Sequence, residues 1–176
     1  MNLPNKITLF RVILIPVYFA FMYMDFSAAI YIAGVIYILA SITDSIDGYI
    51  ARKHNLVTDF GKFMDPLADK LLVITSLVIF CANGRIAAWG VVIVIARELA
   101  ITSLRTMAAL EGTVMAADKY GKIKTITQML AISAMHFEGF VPVAPIVNVV
   151  YYFSILMTII SGVNYFIKNK NLIKTM

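Results

Sequence analysis

Charged residues interrupt this chain at intervals, and between them run apolar stretches long enough to cross a bilayer. A helix needs roughly 20 predominantly apolar residues to span about 30 Å of hydrocarbon. Six such stretches fit, near residues 5–24, 28–50, 64–82, 86–110, 123–137 and 146–167. The fifth is the shortest and is bounded by Lys124 and His136, so a re-entrant or tilted segment is the alternative there, although an even number of spans accounts better for the charge distribution. The expected fold is all-α, an integral membrane bundle of six transmembrane helices. No linker rich in Gly, Ser or Pro, no low-complexity tract and no internal repeat divides the chain, so residues 1–176 are expected to form a single membrane domain.

Composition sharpens this picture. Of the 176 residues, 61% are hydrophobic and 14% charged, against about 25% charged in a typical soluble domain. With a mean hydropathy of +0.86, too little polar surface remains to cover an aqueous-phase fold. The single cysteine, Cys81, excludes an intramolecular disulfide framework, and any bound metal must be held by oxygen. Of the 15 Lys and Arg residues, only Arg85 falls on one side of the expected spans. Basic residues mark the cytoplasmic face, so both termini are expected there, in a multi-pass protein of the cell membrane. The net charge of +5 then reads as a collar facing anionic lipid headgroups, and no nucleic-acid partner is expected.

Ionisable groups within or beside membrane spans are costly and by default mark a site. Asp44 and Asp47 lie three apart at the end of the second span, and Asp65 and Asp69 four apart at the start of the third, so each pair shares a helix face. The second span runs toward the cytoplasm, and the dipole at its C-terminal end disfavours carboxylates, so a cation must compensate them. Four hard oxygen ligands on neighbouring antiparallel helices suit Mg2+ or Mn2+, which keep positions open for phosphate oxygens. The small residues Gly48 and Ala51 clear space beside the acids, and Arg52 offers a guanidinium fork to a phosphate oxygen. Simpler readings stand beside these. Asp65 before Pro66 suits a helix N-cap, Asp69 could pair with Lys62 or Lys70, and Asp44 and Asp47 could pair with Arg52. Asp59 and Glu111 read as loop charges.

The run from Asp44 to Asp69 reads as Asp, two residues, Asp-Gly, two residues, Ala-Arg, eight residues, Gly, three residues, Asp, three residues, Asp. This resembles the signature of the CDP-alcohol phosphatidyltransferase family at all eight fixed positions. The resemblance implies two divalent cations, Mg2+ or Mn2+, with Asp44, Asp47 and Asp65 as main ligands. Asp69 would touch the second ion and serve as the catalytic base. Gly48, Ala51, Arg52 and Gly61 would line the site for the nucleotide of CDP-diacylglycerol. It also implies acyl chains left among the membrane lipids, and a homodimer.

Softer features resemble the branch of that family whose acceptor is glycerol 3-phosphate: Leu3-Pro4-Asn5-Lys6-Ile7-Thr8 followed by Arg11, the DPLADK segment, Arg97-Glu98, Arg105, and Gly121-Lys122-Ile123-Lys124-Thr125 followed by Gln128. Arg11, Arg105, Lys122 and Lys124 supply more positive charge than a neutral acceptor requires, which suits a dianionic phosphate. Positive-inside bias alone would also place such residues. The activity implied is transfer of a phosphatidyl group from CDP-diacylglycerol to glycerol 3-phosphate, with release of CMP. The alternatives are a sister enzyme using serine, inositol phosphate or phosphatidylglycerol, and, from another class, a cation transporter, which would carry its acids nearer the bilayer midplane.

Overall fold

The computed structural model describes residues 3–53, 58–110, 112, 119–139 and 144–170. Among these residues there are six helices and no strand: α1 (Leu3–Met22), α2 (Ala29–Lys53), α3 (Asp59–Ala82), α4 (Ala88–Leu110), α5 (Lys119–His136) and α6 (Ala144–Lys168). Side chains of residues 44–53 lie outside the description, although their backbone continues α2.

Local chemistry explains where α3 begins and ends. Thr58 is extended (φ −115°, ψ 159°), and its hydroxyl accepts from the Gly61 N–H, which caps the helix. Asp59 is therefore the first helical residue and not a loop charge. The N-cap alternative for Asp65 falls for the same reason: Asp65 and Pro66 lie inside α3, which starts before the residue 64 expected from hydropathy. At the other end Gly84 takes φ +70°. The Gly84 N–H donates to the Cys81 carbonyl at 3.0 Å and the Arg85 N–H to the Phe80 carbonyl at 2.8 Å, closing the helix in a Schellman turn.

Helix α1 packs on α2 and α3, α5 lies along α6, and α2 with α5 and α4 with α6 join these groups. Tyr18, Tyr37, Leu77, Val94 and Ile132 are fully enclosed. His136 sits among them, with the Tyr18, Tyr37 and Phe80 rings 5.6, 5.7 and 4.9 Å away. Its Nδ1 lies 2.8 Å from the Ile132 carbonyl, which can only accept, so Nδ1 donates and Nε2 accepts from the Tyr18 hydroxyl at 3.1 Å. Gly34 lets α2 approach closely here, because a Cβ at that position would stand 2.6 Å from His136 Cβ and 2.9 Å from the Phe137 ring.

Outward, the helices show apolar side chains: Ile13 on α1, Leu39 on α2, Val92 on α4, Leu130 on α5, and Val149 and Leu156 on α6 are all exposed. An apolar surface on every side needs lipid for its solvent, and the chain is a membrane protein. By length and composition, Asn5–Met22 and Ala144–Lys168 qualify by themselves as spans. Helices α3, α4 and α5 carry more charged residues, and the described side chains of α2 form a shorter apolar stretch, Ala29–Thr43. Helix α5 shows why, since it turns Lys124, Gln128 and His136 into the protein interior.

At one end of the bundle Arg85 joins two connections. Its Nε donates to Glu138 Oε2 at 2.7 Å and its Nη1 to Asn148 Oδ1 at 2.8 Å, while Nη2 pairs with Glu138 Oε1. These bonds to Glu138 hold the Arg85 guanidinium pKa above its ordinary value. The Tyr31 ring lies against Gly139 at the same end, so the three connections α1–α2, α3–α4 and α5–α6 gather there. The acidic segments stand at the opposite end.

Candidate active site

Asp65 and Asp69 lie one turn apart on α3, beside the fully buried Ala68, whose small side chain keeps the neighbouring helix close. Thr8 of α1 donates its hydroxyl to Asp65 Oδ1 at 2.6 Å. A bond this short to a carboxylate is charge-assisted and fixes the rotamer of the acid. One turn earlier on α1, Asn5 accepts at 2.8 Å from the hydroxyl of Thr58, the residue that caps α3. Gly61 fits between them: a Cβ there would stand 3.3 Å from both Asn5 Oδ1 and Thr58 Oγ1, and 3.8 Å from Asp65 Oδ2. Helix α1 is thus a template for the start of α3. Sequence reasoning marked Asn5 and Thr8 as features of a branch but assigned them no role. A buried Asn and Thr one turn apart in an apolar helix were the available signal.

Asp44, Asp47, Gly48, Ala51 and Arg52 fall in the last turns of α2, with side chains outside the described residues. Helix α2 ends at Lys53, α3 begins at Asp59, and the two helices are in contact. Asp44 lies nine residues before Lys53, and Asp65 six residues after Asp59. At 1.5 Å per residue these are about 13 Å along α2 from its last residue and about 9 Å along α3 from its first.

A second group faces Asp69 from α4 and α5. Glu98 Oε1 accepts from Lys124 Nζ at 2.7 Å and from Arg97 Nη1 at 3.0 Å. Arg97 Nε also donates to Ser161 of α6 at 3.2 Å. Gly121 and Gly162 leave room for this guanidinium, since added Cβ atoms would stand 3.3 Å from its Nη2 and 3.4 Å from its Cγ. Lys70 donates to the Thr102 hydroxyl of α4. A small, partly open cavity of about 30 Å³ lies between these helices, with Asp69 and Lys70 on one wall and Glu98, Lys124 and Gln128 on the other.

The basic residues expected at an acceptor phosphate are therefore divided. Arg11 is fully buried on α1, one turn from Thr8. Lys124 is buried and bound to Glu98. Arg105 is exposed on α4, with its Nε donating to the Tyr165 hydroxyl at 3.0 Å and its guanidinium 5.4 Å from the ring centroid. Lys122 is exposed on α5. Arg97, counted with the cytoplasmic-side cations, lies well inside α4, where Glu98 balances it.

A membrane protein that is helical throughout its described residues, with Asp65 and Asp69 near the start of α3 and a cavity lined by Lys70 and Lys124 beside Asp69, belongs to a narrow class. The CDP-alcohol phosphatidyltransferase profile matches residues 1–160, and the chain belongs to that family. It is 44% identical to the CDP-diacylglycerol–glycerol-3-phosphate 3-phosphatidyltransferase of Bacillus subtilis (strain 168), over 99% of this chain and 98% of that protein. Proteins of the same name from Rickettsia felis and Haemophilus influenzae are each 36% identical, over 94% and 93% of this chain and 93% and 91% of their own lengths.

Proposed function

We propose that the chain transfers the phosphatidyl group of CDP-diacylglycerol to the primary hydroxyl of glycerol 3-phosphate, giving phosphatidylglycerol phosphate and CMP. The carrying observation is the 44% identity, end to end, with a relative named for that reaction. The pocket supports it, because Asp69 shares one cavity with Lys70 and Lys124. A group that accepts a proton there stands beside groups that attract an anion.

The donor chemistry fits divalent cations. The acids offer oxygen only, and Thr8 satisfies one lone pair of Asp65 while its remaining oxygen sites stay available to an ion. Among the described side chains Asp65 and Asp69 alone do not complete a ligand set. Asp44 and Asp47 would complete it from α2. Two ions held there, Mg2+ or Mn2+, would supply charge neutralisation of the diphosphate. Asp69 takes the proton of the attacking hydroxyl, whose oxygen bonds to the phosphatidyl phosphorus as the bond to CMP breaks. Gly48, Ala51, Arg52 and Gly61 are assigned to the nucleotide. Arg105 and Lys122, both exposed beside the pocket helices, are the better placed candidates for the acceptor phosphate, and Lys124 and Arg11 act from buried positions.

The whole of residues 1–176 is read as one catalytic unit of six spans, with the site and both termini on the cytoplasmic face. Arg85 at the opposite end supports this orientation. The family resemblance implies a homodimer, which crosslinking in native membranes would detect.

Purified protein in detergent, given CDP-diacylglycerol, a divalent cation and one acceptor at a time, should release CMP with glycerol 3-phosphate. Serine, free inositol and glycerol should be poor, and chelation of the cation should stop turnover. Efficient use of serine would move the chain to a sister acceptor. Asp→Asn at 44, 47 or 65 should each lower activity by orders of magnitude while the protein still folds. Near-normal turnover would remove that residue from the ligand set. For Asp69→Asn, preserved CDP-diacylglycerol binding with a crippled single-turnover rate marks a base; weakened binding with a normal rate marks a ligand only.

A further inference from the structure

Gln128 lies on the interior stripe of α5, one turn after Lys124, and is 1% exposed. Its Nε2 is buried and makes no hydrogen bond, although Gln128 lines the same cavity as Asp69, Lys70, Glu98 and Lys124. A buried amide donor left unsatisfied is costly and uncommon in a folded interior. An unspent donor on a residue that lines a cavity together with four charged side chains indicates what should occupy that cavity.

The charges around it narrow the choice. Lys70 and Lys124 compete for an anionic group, and Asp69 and Glu98 repel one. A neutral amide N–H between them neither attracts an anion strongly nor requires one. It is matched by a neutral oxygen acceptor such as a hydroxyl. Glycerol 3-phosphate carries two hydroxyls. The primary one is consumed at Asp69, and its phosphate belongs to the cations, which leaves the 2-hydroxyl without a partner.

We propose that Gln128 is a specificity-determining residue, whose side-chain amide donates a hydrogen bond to the 2-hydroxyl of the acceptor while Asp69 takes the proton of the primary hydroxyl. This rests on the function proposed above. The cavity of about 30 Å³ holds one or two waters and is smaller than the acceptor. Lys70 and Met129, both long and unbranched, line it, and the proposal requires them to change rotamer when the acceptor enters.

The test compares two acceptors, glycerol 3-phosphate and 3-hydroxypropyl phosphate, which lacks only the 2-hydroxyl. The wild-type protein should favour glycerol 3-phosphate about tenfold or more in kcat/KM. Gln128→Met, close to the same size but without polar atoms, should lose about tenfold with glycerol 3-phosphate and change little with the analogue, with CDP-diacylglycerol affinity intact. A residue that merely supports the fold would lower both acceptors equally, and equal losses overturn the proposal. If Gln128→Met does not fold, the wild-type ratio still decides: equal kcat/KM for the two acceptors overturns it. A wild-type protein inactive with glycerol 3-phosphate fails the underlying function and the proposal with it. Activity with glycerol 3-phosphate but no preference over the analogue fails the proposal alone.

Discussion

Thr8 and Glu98 each hold a charged group to which the proposed function gives a part, and each can be tested by removing one atom or one charge. Thr8→Val deletes the hydroxyl that reaches Asp65 at 2.6 Å and preserves the shape of the side chain. A charge-assisted hydrogen bond contributes roughly 1.5 to 3 kcal/mol, so activity at limiting Mg2+ or Mn2+ should fall about tenfold to a hundredfold, and Thr8→Ser should retain most of it. A metal-concentration series of CMP release reads this directly, and an unchanged profile would detach Thr8 from the site. Glu98→Gln leaves Lys124 and Arg97 in a buried setting without their shared counter-charge. The expected cost is about 3 kcal/mol, which thermal unfolding in detergent would show as a lower Tm. Glu98→Gln with Lys124→Met together should cost less than the sum of the two single changes, because each removes the reason the other is harmful. Strict additivity would mean the pair is not coupled.

Helix periodicity made the carboxylate pairs legible, because residues three or four apart share a face whatever the tertiary structure. The contacts that support them were not legible in the same way. Thr8 and Asp65 are 57 positions apart, Asn5 and Thr58 53 apart, and only the packing of α1 on α3 brings them together. The start of α3 was misjudged by five residues because hydropathy detects lipid-facing segments and is blind to a polar first turn capped by Thr58. Gly34 shows how packing between elements can depend on one missing atom. The Cβ of Gly34→Ala would meet His136 Cβ, which is fixed to the α5 backbone and cannot swing aside. Helices α2 and α5 must separate, at a cost of roughly 1 to 3 kcal/mol. A Tm equal to wild type would show that the two helices already slide freely past each other.

Across the whole molecule, Arg85 and the connections it ties mark one end and the acids the other. In a Cys81→Ala background, Asn83→Cys should therefore react with a membrane-impermeant maleimide on intact cells. Lys119→Cys, at the start of α5, should react only after the membrane is opened. The reverse pattern would invert the topology, and labelling of both positions from outside would mean that the segment between them does not cross an odd number of times. The cavity itself is divided along the chain, with Asp69 contributed by α3 and Glu98, Lys124 and Gln128 by α4 and α5. During synthesis the chain leaves the ribosome from its N-terminus, so α1, α2 and α3 can place Thr8 against Asp65 while α5 is still being translated. The nascent protein then holds its acids in order before the far wall of the cavity exists. Arrival of α5 supplies Lys124 and Gln128, and a ribosome stalled before that point leaves a chain that has Asp69 but not the wall of the cavity that faces it.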